Sequence, residues 1–433
     1  MREDKRAYLE ELYATRFGGS CRDKQEGTTA PSVLASAPGR IELAGNHTDH
    51  QGGQTISAAL DQHVSALAVA NGTEVIRLFM EGFGEACLQL SELTPRAEEK
   101  GRSIALVRGM AAALAQQGRQ LYGFDMVTCS DIPIGCGLSS SAAFEILTGA
   151  VIRAFCEPDT LRSNVPTLLT APNDLTTLAL QGAWAETVYF GKPCGAQDQL
   201  ASAFGGINAL DFSAEIPHVT PVSFEVGTCS YIPILVDSRS DHSLSIDEYA
   251  AIPAQMHAVA NLFGVTRLQD LLYGRLLEHL PRVRAQLGDR AALRALHYFE
   301  EMQRVKIQIG ALQEGDFEGF LKQMRLSGAS SALYLQNVSP LSDGEGMQQP
   351  TMVILALCAH LLDGGNLPDS PGKGQQRGAY RIHGGGFGGS VLTFVPRKDA
   401  DSFQAVMDDL LGYDACMPVL LSSRGVLVER LVW

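Results

Sequence analysis

The stretch SDIPIGCGLSSSAAFEILTGAVIRAFC, residues 130–156, constrains the fold more than any other part of the chain. It reads as strand, tight turn, helix: a strand ends at Pro133, Gly135 and Gly137 form the turn, and a helix begins near Ser139. Ala142, Ala143, Ile146, Leu147, Ala150, Val151 and Phe155 then fall on one helical face. Free backbone N–H groups and the positive end of the dipole make such a helix start an anion site. The two glycines let the backbone approach a ligand closely. Ser139, Ser140 and Ser141 add hydroxyl donors or a metal ligand. No GK[ST] follows, so this is not a Walker A loop. A well-capped helix behind a tight turn accounts for the same residues without any ligand.

An anion site here must work against the field of the whole chain. The formal net charge is −14, which repels nucleic acid and anionic membranes, so a phosphorylated ligand needs a local device. At 433 residues the chain exceeds one ordinary core, and its 45% hydrophobic content is ample for packing two domains. Nine cysteines without a CxxC pair fit reduced thiols in a cytosolic protein better than disulfides or a zinc site. The N-terminus, MREDKRAYLEELYATRF, resembles an amphipathic surface helix without a signal-peptide core. The greasiest run, MVILALCAHLL, is too short to span a bilayer and contains His360. The expectation is a soluble cytoplasmic protein with no nucleic-acid, membrane or obligate protein partner.

Along the chain, the first half mixes strand signals (SVLASAPGRIELAG, TISAALDQHVSALAVA, EVIRLFM, FDMVTCSDIP) with the helical IALVRGMAAALAQQG. The second half carries longer helices, RAALRALHYFEEMQRVKIQIGALQ, PTMVILALCAHLLDG and KDADSFQAVMDDLLG, beside the strand-like SVLTFVP and GVLVERLVW. Loops are expected at 18–32, 158–173 and near 370. The class is α+β in two lobes, 1–220 and 221–433.

Three further segments carry chemistry. APGRIELAGNHTDHQGG, from Ala37 to Gly53, crowds Arg40, Asn46, His47 and Asp49 between glycine turns. A catalytic centre, a polar ligand pocket and a solvated loop all fit that composition. In NDLTTLALQGAWAETVYFGKPCGAQDQLASAFGG, Asn173 can cap a helix running to about Phe190, stopped by Gly191 and Pro193. Glu186 lies in its last turns, where the dipole gives a carboxylate no help. A second short helix from near Gly195 puts Asp198 in its first turn, where an anion is favoured. Two acids on successive helices could hold Mg²⁺ and act on a substrate hydroxyl; ordinary surface acids are the alternative. In AYRIHGGGFGGSVLTFVP, Gly384, Gly386 and Gly389 formally match G-x-G-x-x-G, but the loop leads into a strand, which excludes the dinucleotide reading.

Together these segments resemble the GHMP small-molecule kinases, and within them the galactokinase branch. PGRIELAGNHTDH is similar to that branch's PGRVNLIGEHTDY-like motif, while GLSSSA and GGGFGG stand intact. PCGAQDQ is similar to CGIMDQ, and VDSRSDHSLSIDEY to a segment that brings a serine-rich turn and a tyrosine to the sugar. The matches fall in family order over nearly the whole chain. The resemblance implies a mixed-sheet N-terminal lobe, a ferredoxin-like C-terminal lobe and an active site between them. It implies transfer of the ATP γ-phosphoryl group to the anomeric hydroxyl of galactose. Asp198 would be the catalytic acid with Arg40 beside it, and Ser141 and Glu186 the Mg²⁺ ligands. Gly135, Cys136, Gly137, Leu138, Ser139, Ser140 and Ser141 would cradle the triphosphate of ATP. Gly384, Gly385 and Gly386 would form the third glycine motif. Asn46, His47, Asp49, Gly195 and Tyr249 would contact the sugar.

Three departures from the family pattern matter. Asn46 stands where a glutamate helps hold the sugar around C6, keeping an acceptor but losing the charge. That makes a galacturonokinase, or another hexose or hexosamine 1-kinase, the leading alternative, with Tyr249 favouring galactose. Gln197 replaces a usual methionine, and His383 flanks the third glycine loop; neither has an account at this level. A non-catalytic galactose/ATP sensor is a further alternative. GLSSSAA, Arg40 and Asp198 are all present, which favours an enzyme.

Overall fold

The structure, a computed structural model, describes residues 3–18, 30–133, 135–156, 171–224, 229–240, 246–339, 348–367 and 377–431. Most of the three expected loops, and the serine-rich turn before Tyr249, lie outside the described residues.

Two sheets organise these residues. The larger contains β1 (Ser32–Ala44), β2 (Gln54–Ala70), β3 (Val75–Met80), β4 (Gly84–Gln89), β5 (Phe124–Ser130), β6 (Ile207–Asp211) and β7 (His218–Pro221). The smaller contains β8 (Tyr231–Asp237), β9 (Ala379–Ile382), β10 (Ser390–Pro396) and β11 (Cys416–Pro418). The closing strand, β12 (Leu427–Leu431), returns to the larger sheet, whose order is β12-β1-β2-β5-β3-β4, with β6 on β2 and β7 on β6. The chain therefore leaves the larger sheet after β7 and returns to it with β12. Leu427–Leu431, within the 221–433 span, pair with β1 rather than with β8–β11.

β1 is buried along its whole length because both faces are covered. The helix Glu3–Phe17 brings Leu9 and Tyr13 against Leu34, Leu67 and Val127 on one side. On the other, Ala143, Ile146, Leu147 and Val151 of the helix Ser140–Cys156 join Val33, Ala35 and Ile41. That is the apolar face expected from the sequence. β1 and β2 pair antiparallel, but the register shifts between Pro38 and Arg40 and again between Glu42 and Ala44. Such bulges re-aim side chains, and these two bracket Arg40 and Glu42, which alternation places on one face.

The smaller sheet runs β11-β8-β10-β9, all antiparallel. With helices after its first and third strands this is the split β-α-β-β-α-β arrangement, in agreement with the ferredoxin-like expectation. Ile234, Val236, Val391 and Val395 pack there against Ile354, Leu361, Phe403 and Met407. Between β8 and β9 lie the helices Ile246–Leu262, Asp289–Glu314 and Phe317–Ser330. The long one ends at Gly315, whose φ of 74° is the left-handed stop that favours glycine. Among the described residues no helix is long and apolar enough to cross a membrane.

Candidate active site

Arg40 on β1 meets Asp198 in the first turn of the helix Gln197–Phe204. The contact is bidentate, Nε to Oδ1 at 2.7 Å and one terminal nitrogen to Oδ2 at 2.8 Å. The other terminal nitrogen donates to the Gly137 carbonyl at 2.7 Å, and the Arg40 backbone N–H donates to that of Leu138 at 3.1 Å. Ser139 Oγ donates to Asp198 Oδ2 at 2.5 Å. The turn that permits this is left-handed at Gly135, Gly137 and, unusually for a residue with a side chain, Ser139, at φ 83°, 74° and 60°. One arginine thus ties the acid to the glycine loop. Its own side chain is 8% exposed, while that of Asp198 is 33% exposed, so the carboxylate is the part that faces outward. Burial pushes the Asp198 carboxyl up, but the charge and hydrogen bonds of Arg40 outweigh it and hold it below the ordinary carboxylate range.

Ser141, in the first turn of its helix, donates to Glu186 Oε1 at 3.3 Å. Glu186 sits where the helix Pro172–Ala185 passes into a wider turn, Glu186–Phe190, that stops at the left-handed Gly191. The same Oε1 accepts from Lys192 Nζ at 3.1 Å, and Oε2 accepts from Gln199 Nε2 at 3.0 Å. Gln199 Nε2 also donates to the fully buried Glu145 at 2.8 Å. Burial and the neighbouring Glu186 hold the Glu145 carboxyl well above its usual range. Among the described residues no group of three or more His, Cys, Asp or Glu could form a self-contained metal site. Two oxygens, one hydroxyl and one carboxylate, fit a hard cation that takes its other ligands from phosphate and water. Sequence reasoning missed Lys192, Glu145 and Gln199. Only Glu145 left a signal, as an acid on an otherwise apolar helix face.

Between β1 and β2 the chain turns through Gly45 (φ 90°) and His47 (φ 57°). His47 is buried and its Nε2–H donates to the Gly385 carbonyl at 2.9 Å, which leaves Nδ1 as an acceptor. Burial lowers its pKa to about 4, so the ring is neutral at pH 7. The Tyr249 ring lies 5.2 Å from it, and a Cβ on Gly385 would strike that ring. Gly195 abuts the Asp49 carboxylate so closely that a Cβ there would overlap Oδ2. Burial pushes the Asp49 carboxyl up to about 6, with Glu42 and Asp198 adding to it. His47, Asp49, Gly195, Tyr249 and the Gly384–Gly386 loop are therefore brought together beside Asp198.

Asn46 departs from the expectation that it reads the sugar. It is fully buried, and its amide is spent inside the protein. Nδ2 donates to the Gly384 carbonyl at 2.6 Å and to Glu42 Oε1 at 3.0 Å, while Oδ1 accepts from Asn337 Nδ2 at 2.7 Å. The left-handed residues on either side turn it inward. The third glycine loop is likewise shaped by close approach: Gly386 (φ 83°) has no room for a Cβ against the Asn337 carbonyl.

The chain is similar to known proteins over most of its length. Residues 23–69 match a family model described as the galactokinase galactose-binding signature, and residues 105–206 one described as the GHMP kinases N terminal domain. A galactokinase of Haemophilus influenzae is 28% identical over 407 residues, 92% of this chain and 95% of its own. One of Streptomyces coelicolor is 29% identical over 392 residues, 88% of each chain. The crystal structure of Lactococcus lactis galactokinase complexed with galactose matches with a TM-score of 0.75 at 23% identity, covering 99% of this chain and 100% of that one.

Proposed function

This chain belongs to the GHMP kinase superfamily, in its galactokinase branch, and on that premise we propose that it transfers the γ-phosphoryl group of ATP to the anomeric hydroxyl of galactose. The observation that carries the reading is the Arg40–Asp198 pair locked to the glycine loop. It supports a geometry in which the acid and the triphosphate cradle hold a fixed spacing. Phosphoryl transfer is mostly positioning and charge neutralisation, which these parts supply.

In this reading the loop Gly135–Ser141 and the helix start behind it receive the triphosphate. Ser141 and Glu186 would hold Mg²⁺, which when bound neutralises phosphate charge. His47, Asp49, Gly195 and Tyr249 line the sugar, and Asp198 accepts the hydrogen of the attacking hydroxyl. A carboxylate held this acidic is a weak base, so its larger contribution is orienting the hydroxyl while the proton arrives late. Arg40 keeps Asp198 ionised and adds positive charge beside the transferred group.

Two results are expected from the sugar side. Gly195→Ala displaces Asp49 and should raise the galactose KM by up to about 100-fold, the cost of a misplacement near 1 Å, with the ATP KM little changed. Asp49 has a folded pKa raised to about 6, so below pH 6 it is protonated and loses acceptor capacity; the galactose KM should climb there. For stability the sign is the reverse. An acid whose folded pKa is raised is stabilising when protonated, so Asp49→Asn should raise the melting temperature at pH 8 while weakening galactose binding. A pH series of initial rates, with melting curves of both proteins, checks both statements.

A coupled ATP/Mg²⁺ assay with galactose, galacturonate, N-acetylgalactosamine, glucose and arabinose tests the function. The highest kcat/KM is expected for galactose. ATP and sugar binding without turnover would overturn the reading.

A further inference from the structure

The features that the family pattern left unexplained meet at one buried residue, Glu42. Asn46 donates to its Oε1 at 3.0 Å and Gln197 Nε2 to its Oε2 at 3.2 Å. The fully buried Arg381 also donates to Oε1. The Glu42 backbone N–H donates to His383 Nε2 at 3.1 Å, so His383 bonds there through an unprotonated nitrogen. His383 Nδ1 in turn lies 3.4 Å from Ser390 Oγ, which donates to the Cys136 carbonyl at 2.9 Å in the glycine loop. Three segments more than a hundred residues apart in sequence are joined through this carboxylate.

The family motif PGRVNLIGEHTDY has its asparagine four residues before its glutamate; here Glu42 stands four residues before Asn46. Set against that motif, carboxylate and amide stand in each other's positions. The exchange keeps one negative charge in the segment but moves it to the site that neutralises Arg381, leaving an amide to tie the sugar loop to Gly384 and Asn337. A buried charge tolerates its surroundings only when paired and hydrogen-bonded, which couples the two positions.

We propose that Glu42 and Asn46 are an exchanged carboxylate–amide pair, and that Glu42 is a positioning residue for sugar phosphorylation. It acts on the sugar loop through Asn46, and on Asp198 through Gln197 in the preceding position of the same helical turn. Glu42 itself touches neither substrate. The second statement rests on the kinase reading above; the exchange itself does not.

The test is a cycle of wild type, Glu42→Asn, Asn46→Glu and the double exchange, with Glu42→Gln as an isosteric neutral variant. Asn46→Glu sets two carboxylates against one arginine, and Glu42→Asn leaves Arg381 buried without a carboxylate. Each single variant is expected to lower the melting temperature, because it leaves an uncompensated buried charge, and to lose at least about tenfold in kcat/KM for galactose as the site it positions shifts. The double exchange should return closer to wild type than either single variant, since coupled sites are not additive. Glu42→Gln should raise the galactose KM and lower kcat while the ATP KM stays within about threefold, a split that loss of folded protein alone does not produce. Melting temperatures of the four proteins should show the same recovery in the double variant. That readout tests the exchange even where no sugar is turned over, a result which would sink the kinase reading instead. With an active wild type, additive losses in the double variant would overturn the exchange. Sugar and ATP KM values moving together in Glu42→Gln would overturn the positioning role.

Discussion

Asp198→Asn is expected to lower kcat by roughly 10²–10⁴-fold, the range for losing a positioned proton acceptor, while ATP still binds. The substitution keeps the shape of the side chain and removes only its charge and half its acceptor capacity. Asparagine can accept one hydrogen bond from Arg40, but its amide nitrogen then opposes the second guanidinium nitrogen that now donates to Oδ2. The attacking hydroxyl loses its acceptor, and Arg40 loses its counter-charge. The glycine loop keeps its own anchors, because Arg40 still reaches the Gly137 carbonyl and its backbone N–H still donates to that of Leu138. Nucleotide affinity measured by calorimetry should therefore change little. A mutant with normal rates would remove Asp198 from the reaction.

Arg40→Met should have the next largest effect, a loss of about 10²–10³-fold in kcat, as when one preorganised electrostatic group is removed. Three hydrogen bonds go at once, two to Asp198 and one to the loop. Burial, which pushes the Asp198 carboxyl up, is then unopposed by the charge that holds it down. The sign follows. In wild type Asp198 stays ionised to below the ordinary carboxylate range, so its contribution to stability is present above pH 3.8 and is lost as the pH falls through the lower folded value. In Arg40→Met that contribution is missing at neutral pH, and the acid limb of the kcat profile moves upward. Arg40→Lys restores the charge without the fork and should fall between the two. A rate–pH profile of the three proteins separates these outcomes.

How much of this was legible in the sequence depends on the range of the interaction. The strand–turn–helix of residues 130–156 and the placement of Asp198 in a first helical turn are local, set by periodicity and glycine, and the structure has them; the expected cap at Asn173 is not formed, since that helix starts at Pro172 behind Ala171. The stop of the Glu186 segment at Gly191 is equally local. The direction of Asn46 was not legible. Four polar residues in one loop look alike in sequence, and which of them turns inward is decided by two bulges and two left-handed residues. The roles of Gln197 and His383 needed Glu42 at the centre, and no spacing along the chain joins residues 42, 197 and 383. The return of β12 to β1 likewise joins residues 32–36 to residues 427–431, with no local signal.

In the proposed reaction ATP phosphorylates galactose at its anomeric oxygen. The most direct measurement is phosphorus NMR of a reaction containing the protein, ATP, Mg²⁺ and galactose. A phosphomonoester coupled to the anomeric proton is expected, appearing in step with ADP and absent with Asp198→Asn. A phosphomonoester at C6, or ATP consumption independent of the sugar, would contradict it.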